Sequence, residues 1–277
     1  LMIGTIIFSV SAGLSEVLVS PVVAAIPSDN PGRDMSFLHS LFGVGAFSVI
    51  VISTLFLKIF GSENWSWLTL IFAAFPLITA VLFMTSPLPD MTPSEASKGG
   101  EKPKKYTVGL ALCVACIFFG SCAENTMSNW SSGFVENALG IDKAIGDILG
   151  TAMFAILLAL TRMVYAKFGK SITPVLFIGM IGAAACYLVA GISTNAVVAL
   201  ISCALTGMFT SMLWPGALIF MEEKLPGAGV AAYALMASGG DLGASIAPQL
   251  MGIVVDKVTI SSFAADLAVL ALGQAGL

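Results

Sequence analysis

Apolar runs about as long as a bilayer is thick recur along this chain, and they constrain its fold more than any other feature. A spanning helix needs roughly 20 predominantly apolar residues. Such runs lie near 3–26, 37–57, 65–85, 106–134, 144–164, 174–192, 196–221 and 230–255, which predicts about eight transmembrane segments. Composition excludes the soluble alternative: 57% of the 277 residues are hydrophobic and only 10% charged, against about 25% charged in ordinary soluble domains. The runs are continuous and lack the short alternating segments of an outer-membrane barrel. With no water to satisfy backbone groups, the expected fold is an all-α, polytopic helical bundle.

The sequence begins at Leu1 with no basic segment or cleavage site ahead of the first run, and a last apolar stretch stops abruptly. A fragment of a longer chain is therefore expected. Cys113, Cys116, Cys122, Cys186 and Cys203 all fall inside apolar runs. The spacing of Cys113 and Cys116 resembles a redox or metal pair, but small side chains packing in a helix is the simpler reading. No metal and no cofactor is expected.

The most polar stretch, "SPLPDMTPSEASKGGEKPKKY" at 86–106, has the Pro, Gly, Ser and charge content of a linker. It divides the chain into 1–85, with three spans, and 107–277, with about five and the last helix incomplete or missing. If loops alternate sides, Arg33, Lys98, Lys102, Lys104, Lys105, Arg162, Lys167, Lys170 and Lys224 share one side, leaving only Lys58, Lys143 and Lys257 on the other. Excess Lys and Arg stay cytoplasmic, so the linker is expected in the cytoplasm and both ends of the chain outside.

Against this apolar background, "SCAENTMSNWSS" at 121–132 carries an acid and two amides inside a span. Glu16, Glu124 and Asp241 sit near the middle of their runs, and each costs about 2.5 to 3.5 kcal/mol at the bilayer centre on insertion scales. No Lys or Arg is expected at comparable depth. Ser121, Glu124, Asn125, Ser128, Asn129 and Ser132 follow the spacing of one helical face. Similar stripes are Ser238, Asp241, Ser245 and Gln249; Ser9, Gly13, Glu16 and Ser20; and, more weakly, Ser202, Thr206 and Thr210 leading to Trp214, where Pro215 and Gly216 predict a break. Hydroxyls and amides can join helices by hydrogen bonds. Acids are a costly way to make such contacts, which favours a shared aqueous cavity. His39 reads as an interfacial or packing residue.

The residues also carry a resemblance. "GLSEVLVSP" (13–21) resembles the fourth-helix pattern G-x-x-E-x-x-x-N-P of fucose permease-like transporters in the major facilitator superfamily, with Ser20 in place of the Asn. "TRMVYAKFGKS" (161–171) is similar to the second copy of the superfamily's basic loop motif, through Arg162, Lys167, Gly169 and Lys170, without the Asp before the Arg. "MLWPG" (212–216) and "ASGGDLGASIAPQLMG" (237–252) resemble helices ten and eleven. The resemblance implies a partial major facilitator fold covering helices four to eleven of twelve. It implies for Glu16 a part in substrate binding and proton coupling, and for the 161–171 motif a conformational role.

These readings favour a multi-pass protein of a bacterial-type inner membrane, a monomeric secondary transporter moving a small polar solute, with protons as its partner. The solute would meet Glu124, Asn125, Ser128, Asn129, Trp214, Asp241 and Gln249. No transport is expected from these 277 residues alone. A membrane enzyme fits poorly, since the chain has one His and lacks H-E-x-x-H, G-x-S-x-G and Walker A motifs. A non-transporting sensor or scaffold stays open, and no nucleic-acid partner is expected.

Overall fold

The computed structural model describes residues 2–87, 89, 104–226 and 228–257. Most of the 86–106 linker and the chain beyond Lys257 lie outside them. Each apolar run is helical: α1 (Met2–Ala25), α2 (Pro31–Phe60), α3 (Trp65–Thr85), α4 (Lys104–Leu139), the one-turn α5 (Lys143–Gly146), α6 (Met153–Phe168), α7 (Ile172–Ile192), α8 (Ala196–Thr210), α9 (Leu213–Lys224) and α10 (Gly229–Lys257). A π-turn over Asp147–Ala152 joins α5 to α6, so 143–168 is one span. Among the described residues, seven spans are long and apolar enough to cross a membrane. The other long helix, α10, has 29 residues but carries Ser238, Gly239, Gly240, Asp241, Ser245 and Gln249 along its middle.

Local chemistry sets the helix ends. Asn30 caps α2 by accepting from the Arg33 N–H, with Pro31 in the first turn where its missing N–H costs nothing. Asn195 caps α8 in the same way, through the N–H groups of Val197 and Val198. The break expected near Pro215 falls slightly earlier: α8 ends at Thr210, α9 starts at Leu213, and Pro215 occupies the first turn of α9.

The helices meet along close seams, notably α4 with α10, α2 with α6, and α7 with α8. Small residues let backbones approach, as expected where lipid supplies no hydrophobic drive between helices. A Cβ on Gly243 would collide with the Phe118 carbonyl, and one on Gly207 with the Phe154 carbonyl. Trp130 Nε1 crosses the α4–α10 seam to donate to the Pro248 carbonyl at 3.1 Å. The α2–α6 seam holds Gly43 over Ala155 and Ala159, with Ser36 Oγ donating to the Arg162 carbonyl at 2.8 Å and Arg33 Nε to the Gly169 carbonyl at 3.1 Å. By contrast, α3 exposes Leu70, Phe75, Leu77 and Met84, as a lipid-facing helix does.

Candidate functional site

The polar residues of six helices converge on one cavity of about 180 Å³. Its lining comprises Glu16 of α1, His39 and Phe42 of α2, Glu124 and Asn125 of α4, Arg162 of α6, Trp214 of α9, and Asp241 and Ala244 of α10. Glu16 lies before the end of α1, Trp214 before the end of α9, and Asp241 after the start of α10 by distances of roughly 14–18 Å at 1.5 Å per residue. That is about half the ~30 Å hydrocarbon core. All three intramembrane acids therefore share one mid-depth space, reached by helices from both sides of the linker.

The expectation that no base reaches the depth of the acids is corrected by Arg162. Its Nη2 donates to both carboxylate oxygens of Glu124, at 3.1 and 2.9 Å. Its Nη1 donates to the His39 carbonyl at 2.9 Å and its Nε to the Ser211 carbonyl at 2.6 Å. The arginine side chain is 1% exposed and that of Glu124 9%. Pro215 explains part of this geometry. A helix through 211–215 would give the Ser211 carbonyl its i+4 partner, but proline has no N–H, so the carbonyl is free for the guanidinium. Arg162 therefore lies well inside α6 rather than in a loop, because its pairing with Glu124 and two carbonyls compensates its burial.

The remaining motif residues lie beyond it. Lys167 stands in the last turn of α6 with its ammonium 5.2 Å from the Phe168 ring centroid, and Gly169 and Lys170 follow the helix end. Only Gly169 bonds across to α2, through its carbonyl and Arg33.

The predicted stripes divide between cavity and elsewhere. Asn125 lines the cavity and anchors its amide on the Ser121 carbonyl and hydroxyl, both at 3.1 Å. Ser128 is half-buried outside the lining, and Asn129 is exposed, donating to the Asn125 carbonyl at 2.7 Å. At about 100° per residue Asn129 is turned roughly 140° from Glu124, which takes it off the shared face. Gln249 is also exposed, two turns along α10 from Asp241 and outside the lining. Ser202, Thr206 and Thr210 donate to carbonyls four residues back in the chain and stay within the packing, so that stripe adds nothing to the cavity.

Trp214 is 8% exposed, and its ring lies so close to Gly240 that a Cβ there would overlap it. The indole also borders a narrow neighbouring space with Glu16, Ser20 and Tyr233. Ser20 Oγ is 3.5 Å from His39 Nε2, which ties α1 to α2 beside the cavity. Sequence assigned neither His39 nor Phe42 to the site, and gave Arg162 a conformational role in the loop motif rather than a place in the cavity. The one available signal was Pro215 four residues after Ser211. Toward the α1–α2 turn a larger vestibule of about 450 Å³ opens, lined by Asp29, Lys170, Glu222, Glu223, Tyr165 and Tyr233 among others.

A bundle of membrane-crossing helices closed around a charged mid-depth cavity defines a multi-pass membrane protein with an internal polar site. The family described as Major Facilitator Superfamily matches residues 1–273, and the chain belongs to it. Membership makes it a membrane transporter in general terms, with a small solute as its cargo and lipid around it. Neither the curated proteins nor the solved structures compared with it give a match.

Proposed function

We propose that the protein is a secondary active transporter of the bacterial-type inner membrane, moving a small polar solute of the sugar class by alternating access, driven by protons, and working as a monomer. The observation that carries this reading is the single cavity in which Glu16, Glu124 and Asp241 meet Asn125 and Trp214. An aromatic face with an amide and carboxylates around it suits a polyhydroxylated solute, since such sites are mostly apolar walls with a few placed polar groups. Gly13, Glu16 and Pro21 support placing the chain near the fucose permease-like branch.

The roles divide by partner. Glu124 is held by Arg162 and, with Asn125, Trp214 and Asp241, forms the binding surface. No base among the cavity-lining residues pairs with Glu16 or Asp241, which share a side-chain hydrogen bond. Of these two Glu16, which also sits in the motif with Gly13 and Pro21, is the group we assign to take up a proton on one side of the membrane and release it on the other. Alternating access would rock the 1–85 and 107–277 parts about this site.

The test is a panel of labelled sugars, sugar acids and polyols offered to membrane vesicles carrying the complete protein under an imposed proton gradient. Accumulation of at least one sugar that a protonophore abolishes supports the reading. Accumulation driven only by sodium, or of no member of the panel, contradicts it.

A further inference from the structure

A second cavity lies on the outer surface of the bundle. Between α4, α7 and α9 runs a groove of about 390 Å³, walled by Leu112, Cys116, Leu176, Phe177, Leu213 and Phe220. Leu112 and Phe177 are exposed, so the groove opens away from the central cavity. It follows α9 from Leu213 to Lys224, about 16 Å at 1.5 Å per residue. That equals one leaflet, half of a ~30 Å hydrocarbon core.

The polar groups of the groove gather at one end. Lys224 is the last residue of α9 and the only charged residue among the described lining residues, and its ammonium is 5.4 Å from the ring centroid of Phe220 in the groove wall. Thr173 stands in the first turn of α7, whose N–H groups have no intrahelical partner and receive no side-chain cap from Ser171. The acids beside Lys224 face elsewhere: Glu222 and Glu223 line the vestibule, and Glu222 accepts from the Tyr233 hydroxyl at 3.2 Å. The charge at this helix end is sorted, with negative toward the vestibule and positive toward the groove.

From this arrangement we propose that the groove between α4, α7 and α9 binds an anionic phospholipid, one acyl chain lying along the apolar wall and the phosphate held by Lys224, Thr173 and the start of α7. A basic group between transmembrane helices at the membrane surface is a recognised setting for acidic head groups.

The test is native mass spectrometry of the purified protein equilibrated with equal amounts of phosphatidylglycerol and phosphatidylcholine of matched chains. The wild type should retain phosphatidylglycerol about fivefold over phosphatidylcholine, the preference one interfacial lysine supplies. Lys224→Gln should erase that preference while Lys167→Gln, at the end of α6, keeps it. Cys116→Phe, which leaves the lysine in place and fills the groove, should lower retention of both lipids. Equal retention of the two lipids by the wild type, equal loss in Lys224→Gln and Lys167→Gln, unchanged retention in Cys116→Phe, or displacement of the lipid by inorganic phosphate alone would each overturn the assignment.

Discussion

Arg162 and Glu124 form a buried ion pair between α6 and α4, one guanidinium nitrogen reaching both carboxylate oxygens. The same arginine holds the His39 carbonyl of α2 and the Ser211 carbonyl at the α8–α9 break. Four parts of the bundle therefore depend on one side chain.

Removing one partner leaves an uncompensated buried charge. Arg162→Met should cost about 3–5 kcal/mol of stability. Joining it to Glu124→Leu, which removes the stranded carboxylate, should restore at least half of that. Thermal unfolding in detergent reads both. A double variant no more stable than Arg162→Met would show that the pair is not the source of the loss.

The glycines of the helix seams give a second prediction, because their surroundings differ. Gly243 faces the Phe118 carbonyl across the α4–α10 seam, whereas a Cβ on Gly13 or Gly45 meets nothing within 4 Å. Gly243→Ala should destabilise by about 1–3 kcal/mol through overpacking. Gly13→Ala and Gly45→Ala should be neutral or stabilising by up to about 1 kcal/mol, since alanine is the better helix former. Melting temperatures of the three variants, measured together, check the contrast.

Topology supplies a third. With Arg162 inside the bundle, the loop bases divide eight to three, which keeps the same orientation. Ser28→Cys, in the α1–α2 turn, should resist a membrane-impermeant thiol reagent applied to intact cells. Glu63→Cys, in the turn after α2, should react. The reverse pattern would invert the protein in the membrane.

Much of this architecture is legible in the sequence because the bilayer makes it so. Length and hydropathy alone locate the spans, and the cost of an acid in hydrocarbon marks Glu16, Glu124 and Asp241 as facing something other than lipid. What was not legible depends on contacts distant in the chain. Arg162 reads as a loop residue from its neighbours Lys167 and Lys170. Only the packing of α6 against α2 and α8, and the carbonyl freed by Pro215, put it beside Glu124. Helical spacing also over-assigned the stripes. It placed Asn129 and Gln249 with the cavity residues, yet a stripe this wide covers more of the helix than one cavity can use.

Under the proposed function Glu16 carries the coupling proton while Glu124, fixed by Arg162, serves the solute. Replacing a carboxyl by an amide keeps its size and hydrogen bonding but removes its proton exchange. Glu124→Gln should weaken solute binding at every pH. The most direct measurement compares accumulation under an imposed proton gradient with solute counterflow at zero gradient, for the complete wild-type protein and for Glu16→Gln. Glu16→Gln should abolish gradient-driven accumulation and retain counterflow. Accumulation in Glu16→Gln with the wild-type dependence on the gradient would contradict that assignment.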